Sequence, residues 1–360
     1  MRFTTWARLL WRNHFRVSPN RVPVVIVTAT VLSAINSLLA PVERLIFGRR
    51  IAATRVEAPI FIIGHWRSGT TLLHELLALD DRFGYPTTYQ CFAPNAFRLT
   101  RSWVTKLEYL MPERRPTDNM TMGWDLPQED EFALVNLGVP SPYLTIAFPN
   151  ERPAAQAYLD LETLPMADRE RWKDGLGRFL QSVAYGSRQP LVLKSPPHTA
   201  RIRALLELFP DARFVHIVRD PHVVFSSTIR LCKALYKHEA LQEPTYVGLA
   251  EYVYSSFERM YSAFEAQRGL VDPSRIFDLR YEDLVRDPIG RLQALYEELN
   301  LGEFERARPR FEAYFADRRD YRTNAYRRDP AVDAEVDRRW GPYMRRYGYS
   351  EAAGPSGEAE

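Results

Sequence analysis

Apolar residues along this chain fall into a few continuous or periodic runs. Ile60–Ile63 is an unbroken bulky run, the pattern of a strand buried on both faces. It stops at Gly64 and resumes beyond Gly69 with apolar positions at helical spacing over residues 72–79. Residues 191–228 repeat this alternation. Strand-like runs at Leu191–Leu193 and Arg213–Val218 flank a helix-like stretch at 199–209, and such a strand–helix–strand unit implies parallel strands. A different pattern opens the chain. Residues 1–21 interleave Trp6, Leu9, Leu10, Trp11 and Phe15 with Arg8, Arg12 and Arg16, and Val22–Val42 then carries no charge at all. Arg44, Arg49 and Arg50 follow.

The uncharged run is about as long as a bilayer span. Pro23, Thr28, Thr30, Ser33, Asn36, Ser37 and Pro41 interrupt it, however. Three arrangements stay open: a helical hairpin packed on the main domain, an anchor lying in a membrane surface, and a single span. A cleaved leader is not expected, because the apolar run begins late and has no small-residue cleavage pattern. The middle of the chain, 84–190, is rich in proline and aromatics, which predicts short helices and loops over the sheet and an acceptor pocket among them. Within it, Pro127-Gln128-Glu129-Asp130-Glu131 precedes an apolar run. It reads as a helix start whose acids suit the helix dipole, or as the source of a carboxylate for the active site.

The pattern therefore predicts an α/β fold, a parallel β-sheet flanked by helices, over 55–350. An N-terminal apolar helical segment occupies 1–54, the acceptor-side insertion 84–190, and a small, polar, disordered tail 351–360. Composition changes little: 46% hydrophobic and 26% charged residues are ordinary for a folded chain. A net charge of +3 argues against the concentrated basic face of a nucleic-acid binder. Cys91 and Cys232 make no disulfide framework, and no Cys/His group has zinc spacing, so no metal is expected.

The strand, glycine-bracketed loop and helix start at 60–79 form an anion cradle, where loop N–H groups and the positive helix end converge. Gly64 to Gly69 has the spacing of the nucleotide P-loop, but Thr70 stands where its lysine should be, and the cation is Arg67. A P-loop kinase or NTPase is one alternative, although the lysine expected on the terminal phosphates of ATP is missing. Arg67-Ser68-Gly69-Thr70-Thr71 resembles the 5′-phosphosulfate loop of the sulfotransferases that use 3′-phosphoadenosine 5′-phosphosulfate (PAPS), [KR]-[ST]-G-T-[TS]. Arg219 at a strand end, with Ser227 eight residues later, resembles their 3′-phosphate site. Phe277–Pro288, FDLRYEDLVRDP, is similar to their late YEDL element, whose tyrosine lies near the adenine. The ordered motifs span about residues 58–290 and look like the broad bacterial-type group.

The resemblance implies a P-loop-NTPase-like sulfotransferase fold, PAPS as donor, adenosine 3′,5′-bisphosphate as product, and no metal. It implies donor binding by Arg67, Ser68, Gly69, Thr70, Thr71, Leu72, Arg219, Ser227 and Tyr281. Lys194, in LKSP at a strand end, resembles the family's lysine beside the sulfuryl group, and Arg67 would join it in stabilising the leaving group. The base is less defined. The family's usual histidine position, two residues beyond that lysine, is Pro196, and His198 follows two residues later. Other relatives use a glutamate in a segment corresponding to 85–90, which holds no acid. The candidates are thus His198, Glu129 and Glu131, with Asp130 less suited by reach and His65 a third choice. An acid of the 129–131 segment could also orient His198. A protein that keeps the fold without turnover would equally lack the usual base. An aromatic lid beside a membrane-like segment favours a small, lipid-like acceptor, and a PAPS-containing compartment places the domain at the cytoplasmic face of a membrane.

Overall fold

Four short parallel strands form the centre: β1 (Ile60–Ile63), β2 (Val192–Lys194), β3 (Arg213–Val218) and β4 (Ile276–Arg280), in the order β2-β1-β3-β4. The computed structural model describes residues 1–104, 123–187, 189–317 and 329–349. The expected tail at 351–360 and part of the 84–190 insertion lie outside the described residues. The helices used below are α1 (Phe3–Arg12), α2 (Pro19–Ala52), α3 (Thr70–Ala78), α4 (Asp130–Leu137), α5 (Met166–Ala184), α6 (Pro221–Glu239), α7 (Leu249–Gln267), α8 (Tyr281–Arg286), α9 (Pro288–Glu298), α10 (Phe304–Asp317) and α11 (Pro330–Tyr347).

The α/β class follows the pattern of apolar runs. β1 pairs with β2 on one side, Ile62 opposite Lys194, and with β3 on the other, Ile63 opposite His216. The strands on either side of the helix-like stretch at 199–209 are parallel, as expected, but β1 lies between them. Alternation along β1 divides the interior into two layers. Phe61 and Ile63 share one core with Leu193, Phe214, Trp172 and Leu176 of α5, Phe257 of α7 and Trp340 of α11. Ile60 and Ile62 share the other with Leu73, Leu76 and Leu77 of α3, Leu295 and Tyr296 of α9, and Phe311 of α10. The connection leaving β1 leads to β2 on one flank, and the chain then crosses back to β3 on the other. The loops after β1 and β3 therefore meet at a reversal of strand order, where open α/β sheets hold their ligands.

The N-terminal segment is a helical hairpin. The Phe3 N–H donates to Ser37 Oγ at 3.0 Å, joining α1 to α2. Leu9 is buried with Phe148 and Leu241 of the main domain, and Trp6 and Leu10 pack around them. Glu43 accepts from the backbone N–H groups of Arg98 and Leu99, at 3.1 and 3.3 Å. The helix continues beyond Val42 to Ala52, because Pro41 is absorbed within it. Its hydroxyls turn onto their own backbone: Thr28 donates to the Val24 carbonyl at 2.7 Å, Ser37 to that of Ser33 at 2.7 Å, and Thr30 and Ser33 bond in the same way. A π-helical stretch, Val27–Leu32, coincides with these bonds. Only 11% of its most apolar window is buried, and Ile26, Val31, Ile35, Leu38 and Leu45 are exposed.

Removing the Phe61 ring from the stack with Phe214 (5.7 Å) should cost about 3–5 kcal/mol in urea unfolding of Phe61→Ala. Leu45→Ala, at an 87% exposed residue, should change stability by less than about 0.5 kcal/mol in the same measurement. A large loss at Leu45 would mean that α2 is covered on this face.

Candidate functional site

The loop between β1 and α3 is built around three left-handed positions, Gly64, Arg67 and Gly69. Gly69, with φ of +104°, starts α3, and a Cβ there would lie 2.4 Å from the Tyr281 ring. Arg67 also has positive φ, +70°, a costly conformation for a branched-out side chain. It is held at both ends. Its Nε donates to Ser227 Oγ of α6 at 2.8 Å, and its carbonyl accepts from Arg219 Nη1 at 3.0 Å. The Arg219 guanidinium lies 4.1 Å above the Tyr281 ring. Four residues from three sequence motifs, Arg67, Arg219, Ser227 and Tyr281, thus converge at the N-terminus of α3. Ser68 is buried, its hydroxyl donating to the His65 carbonyl at 2.7 Å; Thr70 is buried in the first turn, and Thr71 and Leu72 are half-buried behind it. Asp220 caps α6 through the His222 N–H at 2.8 Å, with Pro221 in the first turn. Glu282 does more than begin α8: it accepts from the Asp220 N–H at 3.0 Å and from the Tyr349 hydroxyl at 2.8 Å, which ties the 281 segment to the 219 turn.

The second half of the site joins the start of α4 to the turn after β2. Consecutive side chains at a helix start fan out by about 100° each, and three neighbouring acids find three different partners. Glu129 meets Lys194 Nζ at 2.5 Å. Asp130 accepts from Ser195 Oγ at 2.9 Å and pairs with His198 Nε2 at 2.6 Å. Glu131 takes the Arg201 guanidinium on both oxygens, at 2.6 and 3.1 Å, and the Ser141 hydroxyl at 2.5 Å. Asp130, Glu131, His198 and Arg201 are wholly buried, whereas the Glu129 side chain retains 14% exposure. Of the candidate bases, Glu129 is therefore the one that pairs with Lys194 and keeps some exposure. His198 is wedged edge-on between Phe61 and Trp172, at 5.5 and 6.1 Å, facing the core. An acid does orient His198, as one reading of the sequence allows, but it is Asp130. Burial pushes Asp130 up, and the His198 ring with the Ser195 hydroxyl outweighs this and holds its carboxyl below the usual range. His65 is buried among Trp66, Phe257 and Trp340, and burial pushes its pKa down to about 3, which keeps it neutral.

Two residues that the motifs do not single out complete the cluster. The Tyr143 hydroxyl donates to Glu129 and accepts from Trp66 Nε1 at 3.1 Å. Tyr143 sits in an aperiodic Pro-Ser-Pro-Tyr stretch and carries no local signal. Trp66 stands inside the loop motif, where its neighbours draw the attention. Among the described residues, no group of three His, Cys, Asp or Glu side chains could hold a metal ion.

The geometry is that of an anion cradle opposed by a lysine and a carboxylate. Residues 59–306 match the model of the sulfotransferase family. The chain belongs to that family. It is 49% identical over 348 residues to the omega-hydroxy-beta-dihydromenaquinone-9 sulfotransferase Stf3 of Mycobacterium bovis, covering 96% of this chain and 89% of that protein. The Stf3 protein of Mycobacterium tuberculosis matches at the same identity and coverage. The fold agrees with two solved structures. For sulfotransferase STF9 of Mycobacterium avium the TM-score is 0.71 at 20% identity, over 93% of this chain and 88% of that one. For STF1 of Mycobacterium tuberculosis it is 0.67 at 19% identity, over 94% and 92%. The sulfotransferase reading holds, and the kinase alternative falls.

The buried acid–base contacts beneath the site should be stabilising at neutral pH. Asp130→Asn should lower stability at pH 7 by about 2–4 kcal/mol, since it removes one charge of a buried pair. The sign follows from the depressed folded pKa: the contribution is complete above the ordinary carboxylate value and is lost as pH falls through the folded one. The gap between parent and variant in urea unfolding should therefore shrink below about pH 4. A gap that is absent at pH 7 would remove the supporting role of Asp130.

Proposed function

We propose that this sulfotransferase moves a sulfuryl group from PAPS to a hydroxyl of a lipid of the hydroxylated isoprenoid-quinone type, working at the cytoplasmic face of a membrane. The observation that carries the donor assignment is the convergence of Arg67, Arg219 and Ser227 at the start of α3. Backbone N–H groups from Ser68 to Leu72 suit the 5′-phosphosulfate, Arg219 and Ser227 suit the 3′-phosphate, and Tyr281 suits the adenine. Lys194 lies opposite Ile62 in the sheet, so it leaves the same strand ends as the loop.

In the transfer, the acceptor oxygen attacks sulfur in line as the bond from sulfur to the bridging oxygen breaks. The electron pair stays on the leaving adenosine 3′,5′-bisphosphate, where Lys194 and Arg67 stabilise it. The acceptor proton passes to Glu129, the one accessible carboxylate beside Lys194. His198 and Glu131 act as scaffold, locked to Asp130 and Arg201. The acceptor class is supported by the identity with proteins named for a menaquinone derivative. It is also supported by the exposed apolar face of α2 next to arginines and by the exposed Trp11 and Phe15 of the hairpin.

The donor assignment is tested by binding. Arg219→Ala should weaken adenosine 3′,5′-bisphosphate by about 2 kcal/mol, roughly 30-fold, and leave adenosine 5′-phosphosulfate nearly unaffected in calorimetry. Equal losses for both ligands would show that the 3′-site lies elsewhere. For the membrane, the purified chain should float with phosphatidylglycerol vesicles in a density gradient, and a Leu38→Asp, Leu45→Asp double variant should remain at the bottom. A parent chain that stays monodisperse without detergent and does not float would make the hairpin a packing element only.

A further inference from the structure

Glu129 is gripped from two sides. Lys194 Nζ holds Oε1 at 2.5 Å, and the Tyr143 hydroxyl holds Oε2. Tyr143 is itself fixed. Its backbone N–H donates to Ser141 Oγ at 3.1 Å, and Ser141 donates onward to the buried Glu131. Its ring meets Phe132 edge-on at 5.2 Å and Trp66 at 6.2 Å. The hydroxyl accepts from Trp66 Nε1, and Trp66 adjoins Arg67 in the donor loop. Burial, and then the negative Glu129, push the Tyr143 phenol well above its ordinary range, so it stays protonated and donates.

We propose that Tyr143 is a positioning residue for sulfuryl transfer, aiming the Glu129 carboxylate and tying that aim to the donor loop through Trp66. The proposal rests on the reading of Glu129 as the base. A lysine has three donors on a flexible stem, so Lys194 can turn toward the bridging oxygen of an arriving donor. That movement frees Oε1 for the acceptor proton. The Tyr143 hydrogen bond stays on Oε2, so the carboxylate keeps its plane while its other oxygen works. As the acceptor oxygen bonds to sulfur, its proton moves to Oε1 and the electron pair of the broken sulfur–oxygen bond leaves with the phosphate. Because Trp66 adjoins Arg67, any shift of the loop that moves Trp66 would also move the hydroxyl that aims the base.

The test is a double-mutant cycle of Tyr143→Phe and Glu129→Gln in the full chain, in detergent micelles, with PAPS as donor and omega-hydroxy-beta-dihydromenaquinone-9 as acceptor. Tyr143→Phe keeps the ring and its contacts. It should lower kcat by roughly 10- to 100-fold while the donor dissociation constant stays within about twofold. In the Glu129→Gln background the same replacement should change kcat by less than about twofold, because the group it aims is gone. Equal fold-losses in both backgrounds would show mere structural support, and no loss in the parent would show no role; either overturns the proposal. Parental turnover in Glu129→Gln would overturn the base assignment itself and the proposal with it. Should the quinone not be turned over, the same cycle is read on release of labelled sulfate to water, whose proton needs the same base, with the same expected and overturning outcomes.

Discussion

The structure depends on a polar contact between two short segments that lie far apart in the sequence. Glu129, Asp130 and Glu131 at the start of α4 meet Lys194 at the end of β2 and His198 and Arg201 in the turn beyond it. Two of the three pairs are fully desolvated. Such pairs carry little net stability against an apolar replacement, yet breaking one is expensive, and this is how they fix a register. Their effect is to place the third pair, the only one with access to solvent, at the end of the sheet. The Gly64 N–H donates to Thr199 Oγ1 at 2.7 Å, which links the same turn to the donor loop. Cation, carboxylate and anion cradle therefore share one rigid support.

The loop half of the candidate site was legible because it is local. A strand, two glycines and Arg67-Ser68-Gly69-Thr70-Thr71 specify a backbone path within a dozen residues, and Arg219 with Ser227 needs only a strand end and two helical turns. The carboxylate half was legible in type and not in detail. The helix start at Pro127–Glu131 could be read, but three adjacent acids look alike along the chain. Their difference comes from partners some 65 to 70 residues away and from the angle between successive helix positions. Tyr143 and Trp66 meet across 77 residues with no periodicity to announce it. The strand order was hidden for the same reason: a strand–helix–strand pattern says parallel, and does not say that β1 lies between its two strands.

The N-terminal run looked like a poor membrane helix because polar residues were counted as polar. In the fold, Thr28, Thr30, Ser33 and Ser37 each place their hydroxyl on a carbonyl one turn back. A hydroxyl used in this way is satisfied within the helix; Thr30 is the exposed case, whereas Ser33 is buried. Composition understated how apolar the exposed face is, and Pro41 is accommodated within the helix. Helix length and surface character were set by backbone hydrogen bonding that a hydropathy sum does not include.

The hairpin is fastened to the segment at 84–190 at several separate points. The amino terminus reaches Asn136 Oδ1 at 3.3 Å, Arg2 reaches Asn95 Oδ1 at 3.1 Å, Glu43 caps the segment at Arg98, and Leu9 sits on Phe148, five residues beyond Tyr143. No flexible tether separates it from the catalytic domain. On a lipid surface it would act as a gauge block instead of a leash, setting the standoff between headgroups and Glu129 to a fixed height. The reach demanded of an acceptor would then be dictated by that height, and chain length between a lipid's buried portion and its hydroxyl would become a criterion of selection.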